Sequence, residues 1–128
     1  IDAAGELRAL EYSQRLAHRA RALLAGTESP FVGANLYARA LAGGAQALGV
    51  ETGLAVGRPA DIVSLDLDDP SFAGTDDATL LDRWIFAGRA GTIDCVWRAG
   101  VKRVAGGRHV DRTAIAAAYR KSVERIVA

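Results

Sequence analysis

The chain has 128 residues, of which 50% are hydrophobic and 24% are charged, values that fit one ordinary globular domain with a core. Its net charge of +1 argues against a nucleic acid or an anionic membrane bound through bulk charge. No apolar run approaches the roughly 18 residues of a transmembrane helix, so a membrane-spanning protein is not expected.

The first residues have the pattern of a helix start. Asp2 can accept hydrogen bonds from the free N–H groups of a first helical turn. The chain opens at Ile1, without methionine and without the basic-then-apolar pattern of a signal segment. We therefore expect a longer gene product in which more chain precedes this helix.

The first helix is predicted over residues 3–24, and residues 26–30 break it. Two apolar rows run along it: Leu7, Leu10, Ala17 and Leu24 in one, and Tyr12, Leu16, Ala20 and Leu23 in the other. Two rows indicate a helix that is contacted on more than one side, as in the outer shell of a barrel.

A second helix is predicted over residues 34–48, where Gly49 can form its left-handed C-cap. Its apolar residues share one face by their three- and four-residue spacing: Tyr37, Leu41, Gly44, Ala45 and Leu48. Small residues on this helix allow a close approach to a neighbouring element: Ala40, Gly43, Gly44 and Ala47.

The second half of the chain has the pattern of strands and turns. A strand over residues 62–67 ends at Asp68-Asp69-Pro70, and a short helix is predicted over residues 75–86. Strands over residues 92–98 and 101–104 are joined by Ala99-Gly100, a two-residue hairpin signal. A final helix is predicted over residues 112–127, capped by Asp111, with its apolar face formed by Ile115, Tyr119, Val123 and Ile126.

The composition changes near Gly49, from alanine-rich helical sequence to β-branched runs and turn residues. This change predicts a boundary between two substructures at about residues 49–57. With the terminal helix counted separately, three segments are expected. Residues 1–49 are expected to be helical, residues 50–110 to hold the strands with a short helical insertion, and residues 111–128 to form the terminal helix.

The reactive side chains of the chain do not form a recognisable catalytic set. His18 and His109 are its two histidines and lie far apart in sequence, so they lack metal-ligand spacing. Cys95 is the single cysteine, which excludes an intrachain disulfide and favours a cytoplasmic location. It lies in an apolar run without a nearby base, as a buried packing thiol does.

Three further motifs also favour structural interpretations. The carboxylates of Asp66, Asp68 and Asp69 lack the glycine and glutamate of a calcium loop, so a solvated strand end is expected. Residues 53–57 contain two glycines but no lysine or following helix, so they do not form a phosphate loop. Asp82 and Arg83 are interpreted as a polar surface pair beside the core residue Trp84.

Three segments resemble the carboxyl-terminal part of metal-dependent enzymes of the amidohydrolase superfamily. Residues 40–49 resemble the last helix of their (β/α)8 barrel, and residues 53–66 resemble the segment that leaves the barrel for a small β-sandwich. Residues 93–108 resemble the closing hairpin of that sandwich. The resemblance implies an α/β fold made of the last barrel helices, part of the β-sandwich and a C-terminal helix.

Within that superfamily, residues 10–16, 36–49 and 80–88 are most similar to the formimidoylglutamate deiminases of histidine degradation. The resemblance implies hydrolysis of N-formimidoyl-L-glutamate to N-formyl-L-glutamate and ammonia. The family uses a divalent metal, here expected to be zinc, which lowers the pKa of bound water. It also implies a homodimer, and a cytoplasmic enzyme whose metal ligands lie outside this chain. No catalytic, substrate-binding or metal-binding residue is carried over to a position of this sequence.

Two other interpretations stay open. The same superfamily contains other deaminases and imidazolonepropionase-like enzymes, which only residues of an upstream pocket would distinguish. A non-catalytic α/β interaction module would also explain the missing catalytic set, although the helix start at Asp2 and the two-sided first helix argue against it.

Overall fold

The computed structural model describes residues 2–26, 29–89 and 91–127. They form two compact units. The first contains the residues up to Arg58 and Asp66–Thr92, and the second contains Pro59–Leu65 and the residues from Ile93 onward. The three segments expected from the sequence concern domains of a longer protein and stay a prediction.

The first unit is helical. It contains α1 (Ala3–His18), α2 (Val32–Leu48), a 3₁₀ turn (Pro70–Phe72) and the single turn α3 (Leu80–Asp82), which continues as a π-helical turn (Arg83–Ala87). The second unit contains β1 (Ile62–Leu65), β2 (Ile93–Arg98), β3 (Val101–Ala105), β4 (Arg108–His109) and α4 (Arg112–Val127). This combination of helices and strands confirms the predicted α/β class. None of the described helices is long and apolar enough to cross a membrane.

Helix α1 begins as predicted and ends earlier than predicted. The Asp2 carboxylate accepts a hydrogen bond from the Gly5 amide (3.0 Å) and caps the first turn. The helix stops at His18 because Arg19 adopts a left-handed conformation (φ 49°), so the prediction of a helix to residue 24 was wrong. The apolar spacing continues past His18, but the chain turns back and the Leu23 amide donates to the Glu11 carboxylate (3.3 Å).

Helix α2 ends at Leu48 with Gly49 as its left-handed C-cap (φ 64°), which confirms that prediction. Its buried end is the N-terminal one, where Val32, Gly33 and Leu36 face the core of the first unit. The break predicted over residues 26–30 includes Thr27 and Glu28, which lie outside the described residues. Next to them, the Gly26 amide donates to the Ser29 carbonyl oxygen (2.9 Å).

The helix predicted over residues 75–86 is shorter and differently wound. Residues 77–79 form a turn, and the Asp76 carboxylate accepts a hydrogen bond from the Thr79 amide (2.9 Å). This carboxylate bond competes with a regular helix at that point. In the π-helical turn that follows, the Gly88 amide donates a hydrogen bond to the Arg83 carbonyl oxygen (2.8 Å), five residues earlier in the chain.

The first unit is packed around the π-helical turn. Ile85 is fully buried and Trp84 is 8% exposed, which confirms that Trp84 is a core residue. The Trp84 ring meets Tyr37 of α2 edge to face (6.1 Å between centroids), and Phe86 stacks on Tyr12 of α1 (5.9 Å). The two aromatic pairs join both long helices to the turn.

Gly33 occupies the point where α2 is closest to α3. A Cβ atom at this position would lie 2.7 Å from the Asp82 backbone nitrogen and 2.8 Å from its Cα. These are backbone atoms, so the clash cannot be relieved by rotating a side chain. A glycine is therefore required here by space, despite its low helix propensity.

We expect Gly33→Ala to lower stability by about 1–3 kcal/mol, the usual cost of overpacking. The matched control is Gly43→Ala in the same helix, where the added Cβ lies within 4 Å of no atom in the described part of the chain. That control should raise stability by up to about 1 kcal/mol through helix propensity. Thermal unfolding of both variants in the full-length gene product compares them, and equal effects would show that the close approach is not tight.

The second unit is built on an antiparallel sheet with strand order β1-β2-β3-β4. Strand β1 ends at Leu65, two residues before the predicted end, where the register with β2 shifts between Ser64 and Leu65. The predicted hairpin Ala99-Gly100 joins β2 to β3, and both residues have positive φ (48° and 77°). This is the conformation that a two-residue hairpin requires.

The Asp61 side chain holds this hairpin. Its carboxylate accepts a hydrogen bond from the Ala99 amide (2.6 Å) and two from the Arg98 guanidinium (2.7 and 2.9 Å). The Gly100 amide donates to the Ala60 carbonyl oxygen (2.9 Å). These bonds explain how Ala99, a residue with a Cβ atom, is kept at positive φ.

The hydrogen bond from the Ala99 amide lowers the pKa of Asp61 below its ordinary value of 3.8, and the hydrogen bond from Arg98 has the next largest effect in the same direction. The folded chain therefore binds this proton less tightly than the unfolded chain. The stabilisation is complete above the unfolded pKa of about 3.9 and is lost as pH falls through the lower folded pKa.

We expect hydrogen exchange in residues 98–101 to accelerate in this acid range, beyond its intrinsic pH dependence. Exchange read by mass spectrometry on the full-length gene product measures it. Asp61→Asn should make exchange fast already at neutral pH and remove the extra acid dependence, whereas Asp111→Asn should retain it. An unchanged profile in Asp61→Asn would contradict the role of this carboxylate.

Candidate functional site

A row of polar side chains on α1 faces the π-helical turn of the first unit. It consists of Arg8, Glu11 and Arg15, which we call the α1 polar row. Glu11 is only 1% exposed, which is unusual for a glutamate. A buried carboxylate is the first place to look for a functional group, so its partners decide what it does.

Arg8 binds the backbone at the end of the π-helical turn. Its Nε donates to the Ile85 carbonyl oxygen (2.6 Å) and its Nη2 donates to the Gly88 carbonyl oxygen (2.9 Å). Carbonyl groups near a helix end lack partners within the helix. Arg8 therefore joins α1 to this turn by satisfying them.

Glu11 and Arg15 form an ion pair one helical turn apart. The Arg15 Nε lies 2.8 Å from Glu11 Oε1, and the same oxygen accepts the Leu23 amide. The Arg15 guanidinium carbon also lies 5.3 Å from the Tyr12 ring centroid and 5.4 Å from that of Phe86. Because Oε1 holds both of these donors and the side chain is almost fully buried, we interpret Glu11 as a packing residue and not as an open catalytic base.

His18 lies at the last residue of α1 and is exposed. It lines an open depression of about 360 Å³ together with Leu10, Glu11, Gln14, Leu23, Leu24 and Arg39. Glu11 is the carboxylate among these residues, and Arg15 already neutralises it. The depression therefore brings His18 near Glu11 without forming a metal site.

His109 is half-buried in β4 of the second unit. Its Nδ1 accepts a hydrogen bond from the Asp111 amide (3.1 Å), which leaves the proton of a neutral imidazole on Nε2. In the first turn of α4, the Ile115 amide donates a hydrogen bond to the Asp111 carbonyl oxygen (3.0 Å). Among the described residues, no bond from the Asp111 side chain forms the predicted cap.

Cys95 is 7% exposed and lies in the middle of β2. Its thiol donates to the Asp94 carboxylate (3.2 Å), and the Ser64 hydroxyl donates to the same oxygen (3.3 Å). The Cys95 amide in turn donates to Ser64 Oγ (3.1 Å). These bonds join β1 to β2, and the thiol takes part as a donor, consistent with the predicted packing cysteine.

The aspartates after β1 form local turns. Asp66 and Asp68 are exposed, and the Asp66 carboxylate accepts the Asp68 amide (3.1 Å). Asp69 accepts the Ser71 hydroxyl (2.6 Å) and amide (2.9 Å), which lower its pKa and keep it ionised. This arrangement is that of a solvated strand end.

Asp82 was wrongly interpreted as part of a polar surface pair. Its Oδ1 accepts a hydrogen bond from the Gly33 amide (2.8 Å), and its Oδ2 is buried without a hydrogen-bond partner among the described residues. The side chain therefore satisfies a free N–H group in the first turn of α2 across the contact with α3. Arg83 is exposed, as expected.

The motif over residues 53–66 has no chemistry of its own. Gly53 and Gly57 both have positive φ (104° and 87°), and the Arg58 guanidinium lies 3.4 Å from the Glu51 carboxylate. Within residues 2–26, 29–89 and 91–127, no group of three or more His, Cys, Asp or Glu side chains is placed to hold a metal ion. The residues present therefore do not fit a divalent metal site.

Sequence reasoning missed the structural roles of Glu11, Asp61 and Asp82. A signal existed for one of them, because Glu11 and Arg15 have the i, i+4 spacing of a helical ion pair. Nothing in the sequence indicates that this pair is buried. The partners of Asp61 and Asp82 lie 38 and 49 residues away in the chain, beyond the reach of local patterns.

No protein-family model matches this chain. The chain is similar to a curated protein: over 115 residues it is 48% identical to formimidoylglutamate deiminase from Pseudomonas aeruginosa. That similarity covers 89% of this chain and 25% of the relative.

A solved structure is similar as well. The crystal structure of an amidohydrolase from Brucella melitensis matches 98% of this chain with a TM-score of 0.89 and 45% identity. The chain covers 28% of that structure, so it spans only about a quarter of the length of the proteins it matches. The chain belongs to the amidohydrolases, and within them it is similar to formimidoylglutamate deiminase.

Proposed function

We propose that this chain is the carboxyl-terminal segment of a metal-dependent deiminase that hydrolyses N-formimidoyl-L-glutamate to N-formyl-L-glutamate and ammonia. The observation that supports this most is the 48% identity over 89% of the chain with a protein of that name. The substrate is taken from the name of that relative. The place in histidine degradation and the cytoplasmic location are part of the proposal and follow from the family resemblance.

In this proposal α1 and α2 are the last helices on the outside of a (β/α)8 barrel, and the four-stranded sheet is part of the accompanying β-sandwich. Their exposed apolar residues support this arrangement, because a barrel helix needs an apolar side toward the strands. The role of the segment is then structural: its polar contacts fix the helices in place, while the reaction takes place elsewhere in the protein.

The catalytic metal, which we propose to be zinc, would be held by residues outside this chain. The buried carboxylate of Glu11 is neutralised by Arg15, and the two histidines belong to different compact units. No step of the reaction is assigned to a residue of this segment.

The experiment is to express the full-length gene and to measure ammonia release from N-formimidoyl-L-glutamate. Simple linear amidines serve as competing substrates in the same assay. Imidazolonepropionate is tested by following its consumption, because hydrolytic opening of its ring releases no ammonia. Preference for N-formimidoyl-L-glutamate supports the proposal, and preference for imidazolonepropionate would replace it with the related enzyme. A natural gene product of only 13.4 kDa that begins at Ile1 would overturn it in favour of a small interaction module.

We expect His18→Ala and His109→Ala in the full-length protein to keep the metal content of the parent. Metal analysis of the purified variants, together with their rates of ammonia release, measures this. His18 is exposed at a helix end, and His109 accepts a backbone hydrogen bond. Loss of one equivalent of zinc in either variant would show that the segment supplies a ligand.

A further inference from the structure

The π-helical turn changes its hydrogen-bond register inside the core of the first unit. The chain enters it in the α-helical register, because the Arg83 amide donates to the Thr79 carbonyl oxygen (2.9 Å), four residues earlier. It leaves in the π-helical register, because the Gly88 amide donates to the Arg83 carbonyl oxygen (2.8 Å), five residues earlier. The turn therefore takes up one residue more than an α-helical turn does. Such turns are rare, and in proteins they occur frequently at functional sites.

The acceptor of the alternative, α-helical register lies next to Gly88. In an α-helix the Gly88 amide would donate to the Trp84 carbonyl oxygen, four residues earlier. A Cβ atom at Gly88 would lie 2.5 Å from that oxygen, so the oxygen is already close to the Gly88 backbone. In the described part of the chain, no backbone amide from outside the turn donates to it. The two registers therefore differ by a short movement of one amide between neighbouring carbonyl groups.

Arg8 of α1 favours the π-helical register. Its Nε and Nη2 groups lie on one edge of a planar guanidinium. They hold the carbonyl oxygens of Ile85 (2.6 Å) and Gly88 (2.9 Å) at a fixed separation. Gly88 is extended (φ −62°, ψ 150°), which ends the helix there. If the helix continued in the α-helical register, the Ile85 carbonyl oxygen would accept the amide of residue 89 instead. Arg8 therefore occupies an acceptor that the alternative register needs.

We propose that residues 83–88 form a register switch, a two-state element that the Arg8 guanidinium holds in its π-helical form. Loss of the two Arg8 bonds, by substitution or by movement of α1 away from the turn, converts the element to the α-helical register. The Gly88 amide then changes its acceptor from Arg83 to Trp84, and the chain that leads into β2 moves with it. Conformational coupling requires an element with two discrete arrangements, and this one links α1 to the residues after Ala87. The inference is independent of the deiminase activity, because no residue of the switch is assigned to the reaction.

The test uses the full-length gene product labelled with fluorotryptophan and follows the fluorine NMR resonance of Trp84, which Trp84→Phe assigns. Arg8→Lys keeps the positive charge but cannot form both bonds, because an ammonium group lacks the planar fork. We expect the α-helical register to rise from less than about 10% in the parent to more than about half in this variant, seen as a second resonance. A crystal structure of Arg8→Lys should show the Gly88 amide bound to the Trp84 carbonyl oxygen. The matched control is Arg83→Lys, the same substitution within the switch, and it should give the parent spectrum.

Gly88→Ala tests the same switch from its other side. In the π-helical register the added Cβ lies 2.5 Å from the Trp84 carbonyl oxygen, a backbone atom that cannot rotate away. A regular α-helix accepts a Cβ atom at every position, so the substitution should also populate the α-helical register. The double variant with Arg8→Lys should give the same second resonance as each single variant, because all three reach one state. This variant keeps the proposal testable if Arg8→Lys does not fold.

Three results would overturn the proposal. The first is a crystal structure of Arg8→Lys that retains the bond between the Gly88 amide and the Arg83 carbonyl oxygen. The second is a Trp84 resonance that stays as in the parent in both single variants. The third is rapid hydrogen exchange over residues 83–88 without a second resonance, since the turn would then have only one ordered state.

Discussion

Replacing Arg15 with methionine should lower the stability of the full-length protein by about 3–5 kcal/mol, the cost of leaving one member of a buried ion pair without its partner. The Glu11 side chain is 1% exposed and cannot turn to water when the guanidinium is lost. Among the residues that the structure describes, the Leu23 amide, at 3.3 Å, would remain as its hydrogen-bond donor. Methionine keeps an unbranched side chain beside Tyr12 and Phe86. The loss of stability therefore measures mainly the removal of the charge.

Replacing the other member of the ion pair should lower stability less. Glu11→Gln keeps an oxygen for the Leu23 amide, and Arg15 is 29% exposed and can reach solvent, so about 1–2 kcal/mol is expected from the weaker hydrogen bonds. The double variant Arg15→Met with Glu11→Leu should recover part of the loss, since no unpaired charge is left buried.

Thermal unfolding of the full-length variants, together with hydrogen exchange at residue 23, measures these effects. The matched control is Arg21→Met, which removes an exposed arginine and should stay within about 0.5 kcal/mol. If Arg15→Met matched that control, the ion pair would make no net contribution to stability.

Elements with a strong local signal could be predicted from the sequence. The Asp2 cap, the Gly49 C-cap, the Ala99-Gly100 hairpin and the bounds of α4 follow from residues within a few positions of each other. In each case the deciding interaction is a backbone preference or a hydrogen bond across one turn, which the sequence displays directly.

Elements decided by distant contacts could not be predicted in the same way. The apolar spacing of α1 continues to Leu24, yet the helix ends at His18 and the chain turns back, placing the Leu23 amide on the buried Glu11. The short helix near Trp84 begins late because Asp76 binds the Thr79 amide first. Its Asp82 then bonds across to Gly33, a contact that no local pattern indicates.

The candidate site shows the same limit. Reasoning from residue types found no catalytic set, and the comparisons placed the chain among enzymes whose length it covers only in part. Its function was therefore inferred from similarity. The structure adds which carboxylates are already engaged: Glu11 by Arg15, and Asp61 by Arg98.

The largest expected effect concerns residues 1–128 expressed alone, which should aggregate or remain loosely packed. In the proposed arrangement seven large apolar residues of the first two helices face barrel strands. Six of them are exposed in this chain: Leu10, Tyr12, Leu16, Tyr37, Leu41 and Leu48. Leu7 is half-buried. Full burial of one such side chain is worth roughly 1.5–3 kcal/mol. Leaving several uncovered can remove the whole stability of a typical domain, about 5–15 kcal/mol.

Thermal unfolding of the isolated chain, with binding of an apolar dye, measures this expectation. Leu16 and Leu48 are 81% and 76% exposed on the two helices, so replacing both with glutamine should reduce dye binding and aggregation. Replacing Leu54 and Val56, which are 78% and 106% exposed in a loop, is the matched control and should help less, because that loop has no extended apolar face. In the full-length protein, replacing Leu16 and Leu48 with glutamine should instead lower stability. There the two leucines would contact the barrel strands, and the substitution would remove those contacts. A monomeric isolated chain with a sharp cooperative transition and no dye binding would favour the interaction module and contradict the assignment of these helices to a barrel.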